Sequence, residues 1–348
     1  MKKKRRLLAL CLVCLTLFSM VHIFADSSIW IDDITPTEPS TGNGEDIEKL
    51  LNSEKPSEEV TYPDVLTDND KSNSHIARKY DEELSLYDLV FENEDHTRTA
   101  FFYSSPVKYT TANGAVRDKS TALYQVNSEN SVIALSKSST LSSEQASISL
   151  KELSSQGETV SRIAYASLDN DVKTYYSQCI EDGIIVSKDT WLFKLVPLFA
   201  KANDSTKFTV LVSTDGSAEN SIEYHQQNQD NLVIRYVPTL NGLKEEIVLL
   251  SPPNQTDFTF LVECFNCRIW QNEQNVYLTD ENSDQPLGQF EQIVSFDMDG
   301  KQSVGTLSFQ PGENGTDGIL TVQVDPAFLH NATYPVVIDP TFITTATN

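Results

Sequence analysis

From about Ile76 almost to the C-terminus, apolar and polar residues alternate in short runs rich in Val, Ile, Phe, Tyr and Thr, separated by turn clusters. Alternation with period two marks a strand with one face buried. SLYDLVF and TRTAFFY flank the polar ENEDH and predict a hairpin. SPVKYT is followed by the turn TANG and then by STALYQV. NLVIRYVP and LKEEIVLL are separated by Asn241–Gly242, a strong short-range hairpin signal. FTFLVEC, RIWQ, NVYLT, IVSFDMDGK, GTLSF, GILTVQV and YPVVID continue the series. The spacing predicts an all-β fold of antiparallel, sandwich-like sheets over residues 76–342. We expect two packed sub-domains that part near residue 205, and a short tail at 343–348. One segment, KDTWLFKLVPLFAKAND, is the clear helical candidate, although Pro197 inside it would break or kink a helix. Trp191, Phe193, Leu195 and Phe199 also fit alternation, so helix and strand both stay open there. No repeat of fixed period and no Rossmann or P-loop glycine pattern is present.

The N-terminus has a different pattern. KKKRR, an apolar run from Leu7 and a small residue at Ala25 make a secretory signal over residues 1–25. The alternative is an uncleaved anchor, since Leu7 to Ala25 is only just long enough to span a bilayer. Cys11 and Cys14 lie inside the apolar run without the small residues that precede a lipoprotein cysteine. From Asp26 to about residue 75, Pro, Gly, Ser and acids dominate. Between Asp26 and Asp95 there are 20 acids against 5 Lys plus Arg. Such a segment buries too little apolar surface to offset its ordering entropy, so residues 26–75 read as a disordered, self-repelling spacer.

Charge then narrows the function classes. The 348-residue chain carries a formal net charge of −24, and five of its 26 basic residues lie in the leader. That balance disfavours nucleic-acid binding, which needs clustered Lys and Arg, and attraction to anionic lipid heads. Three cysteines follow the leader, Cys179, Cys264 and Cys267, and an odd count is not a disulfide framework. Cys264 and Cys267 form C-F-N-C within a strand-like run, where residues three apart point to opposite faces. With no second pair to complete a zinc site, they read as small packing residues.

Little else carries chemistry. His75, His96, His225 and His330 are scattered, and no G-x-S-x-G elbow accompanies them. Cys179 with His225 is the candidate nucleophile pair, set against the more common inert strand cysteine. Asp297 and Asp299 in SFDMDGK resemble the start of a calcium loop. A full loop needs a further ligand before the glycine and a Glu at position 12, where Ser308 stands, so an Asp-Gly hairpin turn is the preferred reading. Glu245 and Glu246 are adjacent on a strand and point to opposite faces, so they cannot flank one glycosidic bond. Phe101 and Tyr103 read as core rather than as a sugar-stacking platform. The acceptor patterns at Asn254, Asn314 and Asn331 arise by chance in a long Asn- and Ser-rich chain.

YSSPVKYTTANGAVRDKSTALY, LVIRYVPTLNGLKEEIVLLSPP and the closing ATYPVVIDPT resemble a β-rich module of secreted Gram-positive proteins. In those proteins the module precedes DNRLRE-type domains or RHS repeats of the wall-associated group. The likeness runs from about Leu84 to Thr341. It is most specific at Lys244, Glu245, Ile247, Val248 and Leu249, and again at Tyr334, Pro335, Val336, Ile338, Asp339, Pro340 and Thr341. Lys108 stands where the family usually has His, and Val116 where Trp often follows the Gly turn. The resemblance implies a non-catalytic head of a surface or secreted protein, without a cofactor. Its implied partners are cell-wall components or other surface domains. A carbohydrate-binding module is the alternative, and a secreted hydrolase with a dispersed site is the third reading.

Overall fold

The computed structural model describes residue 60 and residues 62–345, apart from 112, 128–131, 137–140, 157–159, 201–207, 215–219, 227–230, 274 and 314. The expected leader and most of the expected spacer lie outside the described residues. The chain forms two compact units that divide between Lys108 and Tyr109. Among the described residues, no helix is long and apolar enough to cross a membrane.

Unit 1 is built on three antiparallel strands, β1 (His75–Arg78), β2 (Asp88–Asn93) and β3 (Arg98–Phe102). The expected hairpin around ENEDH is β2–β3, with Val90 opposite Ala100. Leu89, Phe91, Phe101 and Val107 form its core. Four residues inside the expected spacer correct its boundary: Leu66 is buried in this core, and Val60, Tyr62 and Val65 pack against it. Four apolar residues in a polar stretch suffice because a preformed sheet face receives them, a contact that local composition does not reveal. The core rings also meet in sequence-distant pairs, with His75 stacked on Phe91 at 5.0 Å. Beside the core lies a buried ionic cluster. Glu83 accepts from Arg78 Nε (2.7 Å) and Lys108 Nζ (2.8 Å), and Asp88 accepts from the Leu84 and Ser85 amides.

Unit 2 continues with β4 (Lys108–Thr110), which begins on the last residue of unit 1, β5 (Val116–Asp118), β6 (Leu123–Val126), β7 (Val132–Ala134) and helix α1 (Ser143–Ser155). Next come β8 (Ile163–Ser167), β9 (Lys173–Ser177), β10 (Ile184–Lys188), β11 (Trp191–Pro197), β12 (Phe208–Ser213), β13 (Ser221–Gln226), β14 (Leu232–Thr239) and β15 (Gly242–Leu249). After these run β16 (Asp257–Phe265), β17 (Cys267–Gln271), β18 (Val276–Asp280), β19 (Pro286–Phe290), β20 (Val294–Phe296), β21 (Gln302–Val304), β22 (Thr306–Pro311) and β23 (Gly318–Gln323). Helix α2 (Pro326–Asn331), β24 (Val336–Asp339) and β25 (Phe342–Thr344) close the chain.

Two large antiparallel sheets result. Nine strands run in the order β22-β23-β16-β11-β10-β9-β8-β6-β7. Eleven belong to the other, whose main path is β12-β13-β14-β15-β25-β19-β18-β17, with β20, β21 and β24 attached beside β15. The sheets pack over one core in which Phe193 of the first meets Phe342 of the second at 4.8 Å, edge to face. Strands on both sides of residue 205 share this core, so the expected division there is replaced by the one after Lys108. Likewise the expected tail at 343–348 begins inside β25, which pairs with β15 and β19.

From β6 and β8 to β11 the nine-stranded sheet is covered on both faces, which settles the segment left open above. Phe193 and Leu195 face the inter-sheet core while Leu192 faces α1, so β11 is apolar on both sides and its alternation is blurred. Ala146, Leu150 and Leu153 line the buried side of α1. The sequence reading missed this helix. Its signal was local: Ser142 caps the Gln145 amide while Gln145 Oε1 accepts from the Ser142 amide, a capping box.

Candidate functional site

The stretches around residues 244–249 and 334–341 are far apart in sequence and adjacent in space. β15 pairs antiparallel with β24, placing Ile247 opposite Ile338, Val248 opposite Val337 and Leu249 opposite Val336. Ile247, Leu249, Val336 and Ile338 are core residues. The β14–β15 hairpin is present, but Thr239 pairs with Gly242, so its two loop residues are Leu240 and Asn241. Gly242 is needed for another reason: a Cβ there would collide with the Phe342 carbonyl of β25.

Strand alternation sends Glu245 and Glu246 to opposite faces, as expected. Glu246 lies on the outer face in a row of opposite charges. Arg235 Nη1 donates to it at 3.0 Å and Lys244 Nζ lies 2.7 Å away. Arg235 Nε also donates to Glu223 Oε1 at 2.6 Å, and His225 Nε2 lies 2.7 Å from Glu223 Oε2. Burial pushes the Glu223 carboxyl up, but His225 and Arg235 outweigh it and hold the pKa below the usual value. Asp339, next to Ile338, lies 3.8 Å from Lys244 Nζ.

Glu245 faces the core between Leu243 and Ile247 and is fully enclosed. Its cross-strand neighbour is Tyr236, and the Tyr236 hydroxyl and Glu245 Oε1 are both buried without a well-formed hydrogen bond. Burial pushes the Glu245 pKa up to about 8, with the Tyr236 hydroxyl opposing the rise and the Asp339 charge adding to it. A carboxyl in that position is neutral at moderate pH, because ionising it in an apolar core is costly.

The cysteines overturn one expectation. β16 belongs to the nine-stranded sheet and β17 to the eleven-stranded one, and the chain passes between them at Asn266, whose φ is 54°. That left-handed residue re-aims the strand, so Cys264 and Cys267 do not point to opposite faces. Both pack on the inter-sheet core, and the neighbouring Cys267 thiol together with burial raises the Cys264 pKa strongly. Cys267 Sγ donates to the Leu192 carbonyl at 3.0 Å. Both are free thiols, as is the exposed Cys179. Cys179 and His225 are not brought together: Tyr224 donates to the Ser177 carbonyl on the core side, and His225 points to the opposite face.

Asp297 closes the β20–β21 turn. Its Oδ1 accepts from the Asp299 (3.0 Å) and Lys301 (2.8 Å) amides, and its Oδ2 accepts from the Thr333 amide at 3.1 Å. Asp299 Oδ2 accepts from the Thr333 hydroxyl at 2.7 Å, and Gly300 supplies a φ of 77°. These bonds hold the Asp297 carboxyl below the usual carboxylate range, and they tie the turn to the residue preceding Tyr334. Among the described residues, no group of three or more His, Cys, Asp or Glu side chains is arranged to hold a metal ion. His75 is buried against Phe91, and its pKa is lowered by burial. His330 lies in the last turn of α2.

Two further places were not visible in the sequence. Trp270 on β17 and Tyr277 on β18 are cross-strand neighbours on the outer face, with ring centroids 5.5 Å apart and Trp270 47% exposed. The other is a polar cluster of buried Lys119 with half-buried Asp171 and Lys188 at the tip of the β14–β15 hairpin. A surface groove of about 440 Å³ along β22 and β23, lined by Gln310, Pro311, Glu313 and Asp317, holds none of the sequence candidates.

Compared with family models, curated proteins and solved structures, the chain matches none of them.

Proposed function

We propose that this chain is a non-catalytic, exported β-module with a structural or interaction role at a cell surface or in a secreted assembly. It is the kind of module that heads secreted Gram-positive proteins with DNRLRE-type domains or RHS repeats. The observation that carries this reading is the pairing of β15 with β24. The residues most like that family lie side by side at the centre of one sheet, where they serve as core and as ladder rather than lining a cleft. The basic-then-apolar leader and the acidic stretch after it support export. Fractionation of the native producer, with an intact mass, is the test. The expected product lacks residues 1–25 and is found in the wall fraction or the medium. A cytosolic chain with the leader intact would overturn the reading.

A second reading, carbohydrate binding, is favoured by Trp270 and Tyr277. Aromatic rings on a strand face can stack on the apolar faces of sugar rings. Polar side chains share that face, since Arg268 lies two residues from Trp270 and Gln289 is the β19 neighbour of Tyr277. Binding to peptidoglycan and to a glycan panel, compared between wild type and Trp270→Ala, tests it. Saccharide binding lost in a folded variant is the expected result; absence of binding by the wild type removes this reading.

A further inference from the structure

Lys119 is a lysine held where lysines are rarely found. It is 2% exposed, and its Nζ touches three oxygens: Asp171 Oδ1 at 2.5 Å, the Leu240 carbonyl at 3.1 Å and Asn241 Oδ1 at 3.5 Å. The other Asp171 oxygen lies 3.1 Å from Lys188 Nζ. One carboxylate therefore serves two amines, and the more deeply buried amine has the greater tendency to lose its proton. Burial lowers the Lys119 pKa, the nearby Lys188 charge acts in the same direction, and Asp171 opposes both.

The hairpin tip that carries Asn241 is held from two sides. The Asn170 side-chain amide donates to the Thr239 and Leu240 carbonyls, at 3.2 and 3.0 Å. From β25, the Thr344 amide and hydroxyl both donate to the Asn241 carbonyl at 2.8 Å. An amine, a side-chain amide and a carboxylate are thus fixed together by residues that do not take part in any reaction. Such fixing replaces the encounter entropy of a bimolecular step.

We propose that Lys119 and Asn241 form an intramolecular isopeptide bond, with Asp171 moving the proton. The neutral Lys119 Nζ attacks Asn241 Cγ, so the Nζ–Cγ bond forms and the Cγ–Nδ2 bond breaks. Asp171 takes the proton that Nζ sheds and delivers it to the departing Nδ2, which leaves as ammonia. Atoms and electrons balance without an oxidant or cofactor. The product is a covalent link between the segment after β5 and the β14–β15 hairpin, 122 residues apart.

The test is an intact mass of the purified full chain, followed by protease digestion and fragment sequencing. The expected result is a mass lower than the sequence mass by one ammonia, and a branched peptide joining Lys119 to Asn241. Lys119→Arg and Asp171→Ala should each restore the lost ammonia. Recovery of the two segments as separate, unmodified peptides from the wild type would overturn the proposal, whatever the variants do. A succinimide at Asn241–Gly242 also loses ammonia, but it would leave Lys119 free and persist in Lys119→Arg; that outcome overturns the proposal as well. A branched peptide retained in Asp171→Ala would remove Asp171 from the reaction.

Discussion

Ile247 and Ile338, 91 positions apart in the chain, are directly opposed across β15 and β24, and neither is accessible to solvent. Truncating either one leaves a void that a sheet centre is poorly able to close. Ile247→Ala and Ile338→Ala should each lower stability by about 2–5 kcal/mol, with the double variant less than additive because the two share one space. Urea unfolding checks this, and a loss under about 1 kcal/mol would show that the pair is not in the core.

Glu245 gives unit 2 a pH dependence of definite sign. In the unfolded chain it titrates near 4.5, and in the fold near 8. Below both values it is protonated in either state and contributes nothing. As pH rises from about 4.5 to 8 the unfolded chain ionises while the fold keeps its proton, so stability falls, by on the order of 5 kcal/mol in total, and then levels off. The difference in unfolding free energy between wild type and Glu245→Gln, followed from pH 4 to 9, should trace this fall. A flat difference would contradict a neutral buried carboxyl.

In unit 1, Lys108, Glu83 and Arg78 are all about 5% exposed or less. Lys108→Ala leaves Glu83 and Asp88 buried with one cation fewer, and should cost about 3–5 kcal/mol. Lys108→Met combined with Glu83→Gln should cost less than Lys108→Ala, since one cation and one anion are removed together and the charges that remain, Arg78 and Asp88, balance. Thermal unfolding of the three proteins decides the order.

Calcium should not stabilise the protein through Asp297. Three backbone amides already bond its two oxygens. Millimolar calcium followed by a chelator should leave Tm unchanged, whereas a calcium-dependent rise abolished by Asp297→Asn would restore the metal reading.

Thiol labelling should separate the cysteines. Cys179 is exposed, so it should react in the native protein, slowly because partial desolvation and the nearby Asp182 and Glu181 charges raise its pKa. Cys267, fully buried, should react only on unfolding. Rapid native labelling at Cys267 would mean that the β16–β17 crossing opens.

Some of this molecule is legible in the sequence alone. The β2–β3 and β14–β15 hairpins are local, and alternation with a turn between is enough to specify them. Opposite placement of Glu245 and Glu246 follows from strand geometry alone. The β11 segment was ambiguous because burial on both faces erases alternation. The cysteine pair was misread because one left-handed residue, Asn266, changes the direction of a strand.

By itself, the sequence determined the all-β character, the antiparallel hairpins and the acidic balance, since each depends on residue type and short-range spacing. Only the tertiary structure decided that β15 and β24 are neighbours, that Val60, Tyr62, Val65 and Leu66 join a core, and that Lys119, Asp171 and Asn241 meet. The physical reason is the same in each case. These contacts join segments far apart in the chain, and their partners are selected by shape and burial that no local pattern encodes.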